Sequence, residues 1–176
     1  MSQLVLYAYD PRWPQSFEQM KSSLRFAAEG LISEVEHVGG TAIPAAPARD
    51  GVVDLLVGVA DEKHLAEVAP YIEGLRFTPV DDSKLTEEGV LAEYRRPRYG
   101  STPAYRLLLT SAEGDFWQRA VQFRQAISHC GGSTERYANL KRRLAIMGVD
   151  GAQYELSKVV FFRHVEEQQS GGKEEE

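Results

Sequence analysis

Apolar and polar positions alternate with two different periods along the chain. Phe17, Met20, Leu24 and the pair Ala27 and Ala28 recur at helical spacing, which predicts an amphipathic helix over 14–30. Pro14 fits the first turn of that helix and Gly30 its stop. Residues 5–9 predict a short strand, and 33–38 alternate as a strand does. The run 52–59 is rich in valine and leucine, which predicts a strand buried on both faces. A helix follows over 61–74, with Leu65, Val68, Ala69 and Ile72 inward and Asp61 at its start. Residues 77–80, 91–96 and 104–110 predict strands, the first two separated by a polar turn at 81–89. Three helices then follow. One covers 116–127. The next covers 134–145, with Ser133 as its cap and Tyr137, Leu140 and Leu144 on one face. The last covers 154–165, with Leu156, Val159, Val160 and Phe162 as its apolar residues. Helices gathered after the last strand point to an α+β fold rather than a regular βαβ repeat. From Glu166 onward nothing apolar remains to bury, so 166–176 is expected to be a disordered tail on a single domain over 1–165.

Length and composition narrow the function classes. At 176 residues the chain holds one sizeable core. No apolar run is long enough to span a bilayer, which argues for no membrane partner. The opening residues lack the order of a signal peptide, so a cytoplasmic protein is expected. The single cysteine, Cys130, excludes an internal disulfide and a cysteine-cluster metal site. A net charge of −6 argues against nucleic acid as a partner and leaves room for local basic clusters that hold a small polyphosphate.

The chemistry-bearing stretch is Glu36, His37, Val38, Gly39, Gly40 and Thr41, followed after a loop by a strand carrying Asp54. Adjacent glycines permit positive φ and close approach of backbone to a ligand. Their N–H groups can converge on an anion. A carboxylate on an apolar strand must be paired, solvated or metal-bound. Glycines beside a strand-borne aspartate are what metal-assisted phosphate chemistry requires. A plain turn before a strand, with Asp54 at its exposed end, accounts for the same residues. His37 either orients the turn through a hydrogen bond or, with an ordinary pKa near neutrality, serves as a general base.

The run EHVGGTAIPAAPARDGVVDLLVGV resembles the GrpB family, also called UPF0157, whose pattern is Glu-His-Val-Gly-Ser-Thr, a proline loop with a lysine, and a strand with an aspartate. YDPRWPQSFEQ, FWQRAVQFRQAI, YANLKRRLA and YELSKVVFF resemble further family segments, so the likeness runs from about Tyr7 to His164. The resemblance implies a nucleotidyltransferase-like (polymerase-beta-like) mixed β-sheet packed by helices, with a helical C-terminal part. It implies a small-molecule substrate, a nucleoside triphosphate as co-substrate and Mg²⁺. Gly39, Gly40 and Thr41 fall on the phosphate-binding turn, Asp54 on the metal-binding and catalytic aspartate, and Arg49 on the loop lysine. Arg124 and Lys158 match basic family positions suited to a triphosphate.

Two departures concern the metal. The second carboxylate of a catalytic nucleotidyltransferase would fall on Leu56. The family's histidine-bearing strand here reads Ala104 to Leu109 without an acid or histidine, and Arg106 and Leu108 occupy those places. A single aspartate is a poor two-metal site. The sequence therefore supports two expectations. One is an enzyme that transfers a nucleotidyl or phosphoryl group to a small molecule. The other is a divergent member without metal chemistry, binding an acidic or nucleotide-like ligand or running a different reaction in the same cleft. A bare interaction module is a weaker third.

Overall fold

The computed structural model describes residues 5–129 and 132–171. Seven strands and five α-helices are present among the described residues. Strand β1 (Leu6–Tyr7) pairs antiparallel with β3 (Ala48–Arg49) and ties the N-terminal arm to the loop after β2. The main sheet has the order β2-β4-β7-β6-β5. Its strands are β2 (Ile32–Val38), β4 (Val53–Val59), β5 (Thr78–Pro79), β6 (Val90–Arg96) and β7 (Tyr105–Ser111). Only the central pair, β4 and β7, runs parallel. The sheet is therefore mixed and the fold α+β, as expected.

Helix α1 (Arg12–Ala27) buries Trp13, Phe17, Met20 and Leu24, a stripe at intervals of three and four. The Asp10 side chain accepts from the Arg12 amide at its approach, and Gly30 turns the chain at φ +82°. Helix α2 (Leu65–Gly74) buries Val68 and Ile72, preceded by a short 3₁₀ turn in which Asp61 accepts from the Lys63 amide. These two helices cover one face of the sheet and pack on Val35, Leu55, Val57, Leu107 and Leu109.

The other face is covered by α3 (Asp115–His129), whose Phe116, Trp117, Ala120 and Val121 lie on Val38, Leu56, Val90 and Leu108. Helices α4 (Ser133–Ile146) and α5 (Gly151–Gly171) pack beyond it around Ile43, Ile127, Tyr137 and Val165. With helices on both sides, β4 is buried along its length except at Asp54, which fits its unbroken apolar run.

Several expectations need correction. Helix α5 continues to Gly171, over residues expected to form a tail. A polar helix end needs no burial, and this one is tied down where Gln168 accepts from the Arg136 guanidinium at 3.1 Å. Residues 172–176 of the expected tail lie outside the described residues. Leu156, Val159 and Val160 are exposed, and α5 instead buries Tyr154 and Val165 while Phe161 and Phe162 pack around Ile43, Ile127 and Tyr137. The cap of α4 is Gly132, at φ +76°, rather than Ser133. Ser133 turns inward, and its Oγ accepts from Arg136 at 3.1 Å. The loop at 39–50 also holds more order than expected, in a 3₁₀ turn (Gly40–Ala42) and in β3.

Candidate functional site

The register of the sheet places a row of side chains across its end. Val38 of β2 pairs with Asp54 of β4, Asp54 with Arg106 of β7, and Arg106 with Arg95 of β6. Residues two apart on a strand share a face, so this row lies on the α3 side of the sheet. Arg106 Nε donates to Asp54 Oδ1 at 2.8 Å. Arg95 in turn donates to Glu93 Oε1 at 2.9 Å, and Ser83 Oγ donates to Glu93 Oε2 at 2.6 Å.

The chain leaves β2 directly onto this row. Gly39 has φ +73° and ψ −169°, a backbone region open essentially to glycine alone. A Cβ there would lie 2.1 Å from Asp54 Oδ2. A Cβ on Gly40 would lie 2.6 Å from the Lys141 ammonium. The two glycines thus let the turn pass between a carboxylate and an ammonium group. Lys141 is buried, donates from Nζ to the Pro47 carbonyl at 2.5 Å, and lies 4.8 Å from the centre of the Tyr137 ring.

The turn, the row and helices α4 and α5 enclose a cleft of about 220 Å³. Arg49, Arg95, Arg106, Lys141 and Lys158 line it, against the carboxylates of Asp50 and Asp54. Arg49 and Lys158 both lie over the Tyr154 ring, at 5.8 and 5.4 Å from its centre. Among the described residues, five cations stand against two carboxylates, a positive lining on a chain of net charge −6. Such a lining raises the local concentration of anions.

Gly39, Gly40, Arg49, Asp54 and Lys158 therefore meet, as the sequence suggested. The other three candidates do not line the cleft. His37 points to the opposite face, stacked on Phe17 with ring centres 4.7 Å apart, and its Nε2 bonds Thr41 Oγ1 at 2.9 Å. Burial, and then the nearby Arg124 charge, lower its pKa to about 4. Of the two roles open to it from sequence, this geometry gives it the orienting one. Thr41 is fully buried as its partner. Arg124 donates to Glu36 Oε2 at 2.5 Å and to the His37 carbonyl at 2.8 Å, which braces the end of β2 from α3.

Arg95, Arg106 and Lys141 were not among the sequence candidates. Arg106 had a signal, a charge inside an otherwise apolar strand. Lys141 had another, since it lies four residues after Tyr137 and three before Leu144 on the buried side of α4.

Magnesium does not fit this donor set. Among the described residues, no three histidine, cysteine or acidic side chains converge. Glu36 is held by Arg124 and Glu93 by Arg95. Asp54, the expected ligand, has one oxygen on Arg106, and the surrounding cations oppose a dication. Cys130 lies outside the described residues.

Comparison with known proteins places the chain. The family model described as "GrpB protein" matches residues 3–168. The chain belongs to the GrpB family. A UPF0157 protein of Deinococcus radiodurans is 28% identical over 168 residues, covering 91% of this chain and 79% of its own. A UPF0157 protein of Halalkalibacterium halodurans is 26% identical over 142 residues, with 81% and 69% covered. The crystal structure of the conserved protein GrpB from Enterococcus faecalis superposes with a TM-score of 0.71 at 20% identity, over 93% of this chain and 96% of that one. That likeness shows the fold. No helix among the described residues is long and apolar enough to cross a membrane.

Proposed function

We propose that this GrpB protein binds a small phosphate-bearing, nucleotide-like anion in the cleft at Gly39, Gly40 and Arg106, without a metal ion. One observation carries the reading. Arg106 stands 2.8 Å from Asp54, where metal-assisted phosphoryl chemistry would need a cation and further acids. A guanidinium presents several N–H donors in a plane and holds phosphate oxygens in pairs. Arg49 and Lys158 approach from the other wall, and the glycine turn admits the ligand close to the backbone. At about 220 Å³ the cleft is smaller than pockets for drug-sized ligands, which run roughly 300–1,000 Å³. It suits a phosphate or diphosphate head, with the rest of the ligand outside.

The position of Asp54 against Gly39 favours a second reading, nucleotidyl or phosphoryl transfer from a nucleoside triphosphate. There Asp54 would have to exchange Arg106 for Mg²⁺. Calorimetric titration with pyrophosphate and with ATP, GTP, CTP and UTP, in EDTA or in Mg²⁺, separates the two. Metal-free binding should be saturable in EDTA. Arg106→Ala should weaken it by about tenfold or more, the loss of one charged hydrogen bond. Asp54→Asn should leave it intact or tighter. Binding that requires Mg²⁺ and is lost in Asp54→Asn would establish the transferase reading instead. Binding indifferent to Arg106→Ala would remove the cleft from consideration.

A further inference from the structure

The face of the sheet that carries the anion cleft has a second hollow at its far end. Arg106, Leu108 and Thr110 follow one another on that face of β7, and Leu56 and Leu108 with Trp117 close the space between the two hollows. Beyond them lies a groove of about 750 Å³, between the 3₁₀ turn Lys84–Glu88, the first turn of α3 and the end of β7. Its volume is that of a small-molecule pocket. Glu62, Glu87, Glu88 and Asp115 line it, and Arg119 is the cation among its lining residues. The Arg119 guanidinium donates to the Glu88 carbonyl at 3.0 Å and so ties α3 to the turn.

Thr110 also lines the groove. It is 1% exposed, and its Oγ1 has no hydrogen-bond partner among the described residues. A buried hydroxyl without a partner costs stability, which a bound group that accepts or donates there recovers. Phe116 and Trp117 supply aromatic surface beside it. A helix N-terminus by itself favours an anion with about half an elementary charge. Four carboxylates outweigh that, so the groove selects positive charge.

We infer that this groove binds a small organic ammonium ion, its charge among Glu87, Glu88 and Asp115 and its carbon chain against Phe116 and Trp117. The aromatic faces attract a cation as well as an apolar chain. Thr110 Oγ1 accepts a hydrogen bond from the ammonium group. The site is independent of the anion cleft and takes a ligand of opposite sign.

The test is ¹H–¹⁵N NMR of the full chain titrated with n-butylammonium, with n-butanol as the neutral control. The chain has two tryptophans, so each indole N–H is a separate reporter. The Trp117 resonance should shift saturably with the ammonium ion and not with the alcohol, while Trp13 stays in place. Glu87→Gln combined with Glu88→Gln should weaken binding about fivefold to tenfold, as loss of two exposed charge pairs implies. Thr110→Val should weaken it further. The inference is overturned if butanol shifts Trp117 equally, if no saturable shift occurs, or if the double glutamine variant binds as the wild type does. Both glutamates are exposed, so that variant decides the matter even where Thr110→Val fails to fold.

Discussion

Gly39→Ala tests the arrangement of the turn most directly, because two separate penalties meet at one position. The first is local. At φ +73° and ψ −169° an alanine pays roughly 1–3 kcal/mol of backbone strain. The second is a collision, since the new Cβ would stand 2.1 Å from Asp54 Oδ2 and 3.0 Å from its Cγ. The carboxylate must swing away and give up its bond to Arg106, a charged hydrogen bond worth about 1.5–3 kcal/mol. Together the substitution should cost about 3–5 kcal/mol. For a chain of this size that is a Tm drop of roughly 6–20 °C. A double-mutant cycle separates the two terms. In an Asp54→Ala background the carboxylate is gone and the Cβ of residue 54 stands at 3.3 Å, so Gly39→Ala should cost little beyond the backbone term. Urea denaturation of the four proteins, compared at constant slope, gives each free energy. The coupling should be about 1.5–3 kcal/mol. Additivity within about 0.5 kcal/mol, the behaviour of independent sites, would refute the claim that Asp54 is packed against the turn.

Three further outcomes follow from the neighbouring residues. His37 is held neutral in the fold, with its pKa lowered from 6.5 to about 4, so it contributes stability that is full above pH 6.5 and lost as pH falls through 4. The difference is roughly 3 kcal/mol. Urea melts at pH 7 and pH 4 should show the wild type losing that much more than His37→Gln; equal losses would contradict it. Arg124→Ala should cost about 1–3 kcal/mol through Glu36 and the His37 carbonyl, yet leave anion affinity unchanged, and a loss of affinity in calorimetry would return Arg124 to the binding site. Lys141→Met keeps the volume but leaves the buried Pro47 carbonyl without this donor, so thermal melts should show a loss of about 1–3 kcal/mol and titrations a weaker anion complex. Unchanged affinity there would place Lys141 in the scaffold only.

The fold was legible where burial sets the pattern. The stripe of Trp13, Phe17, Met20 and Leu24 and the unbroken run of β4 each had one solution. The far end of α5 was not legible, because its polar residues read equally as a solvated helix or as a tail. The choice was made by Arg136 reaching Gln168 from another helix. The outward Val159 and Val160 misled for a related reason. Periodicity names an apolar face, but α5 turns Tyr154 to the cleft and Phe161 onto Tyr137. The glycines, Asp54, Arg49 and Lys158, singled out from local pattern and family likeness, line one cleft. His37 shares the motif but faces the other way, since neighbours on a strand point to opposite sides of a sheet, and Arg124 is taken up by Glu36 and the His37 carbonyl.

Arg106 shows how strand register, and not a motif, supplies the partner of Asp54. A carboxylate on a buried strand needs a counter-charge, whatever its role. The position two residues beyond Asp54, Leu56, went to the core beneath Trp117 and contributes no second acid. With Asp54 paired to Arg106 and Asp50 to Arg49, a divalent ion would be poorly held. The parallel pairing of β4 with β7 instead sets Arg106 directly beside Asp54, more than fifty residues away in sequence. The next pairing adds Arg95 on β6, itself fixed by the buried Glu93. Each guanidinium is thus anchored by one carboxylate on its own or the adjacent strand. The consequence is a row of oriented donors that exists before any ligand arrives. Preorganised donors lose less on binding than mobile surface lysines do. On the proposed reading, a metal ion brought in with its phosphate would have to undo that row, whereas a bare anion would leave it intact.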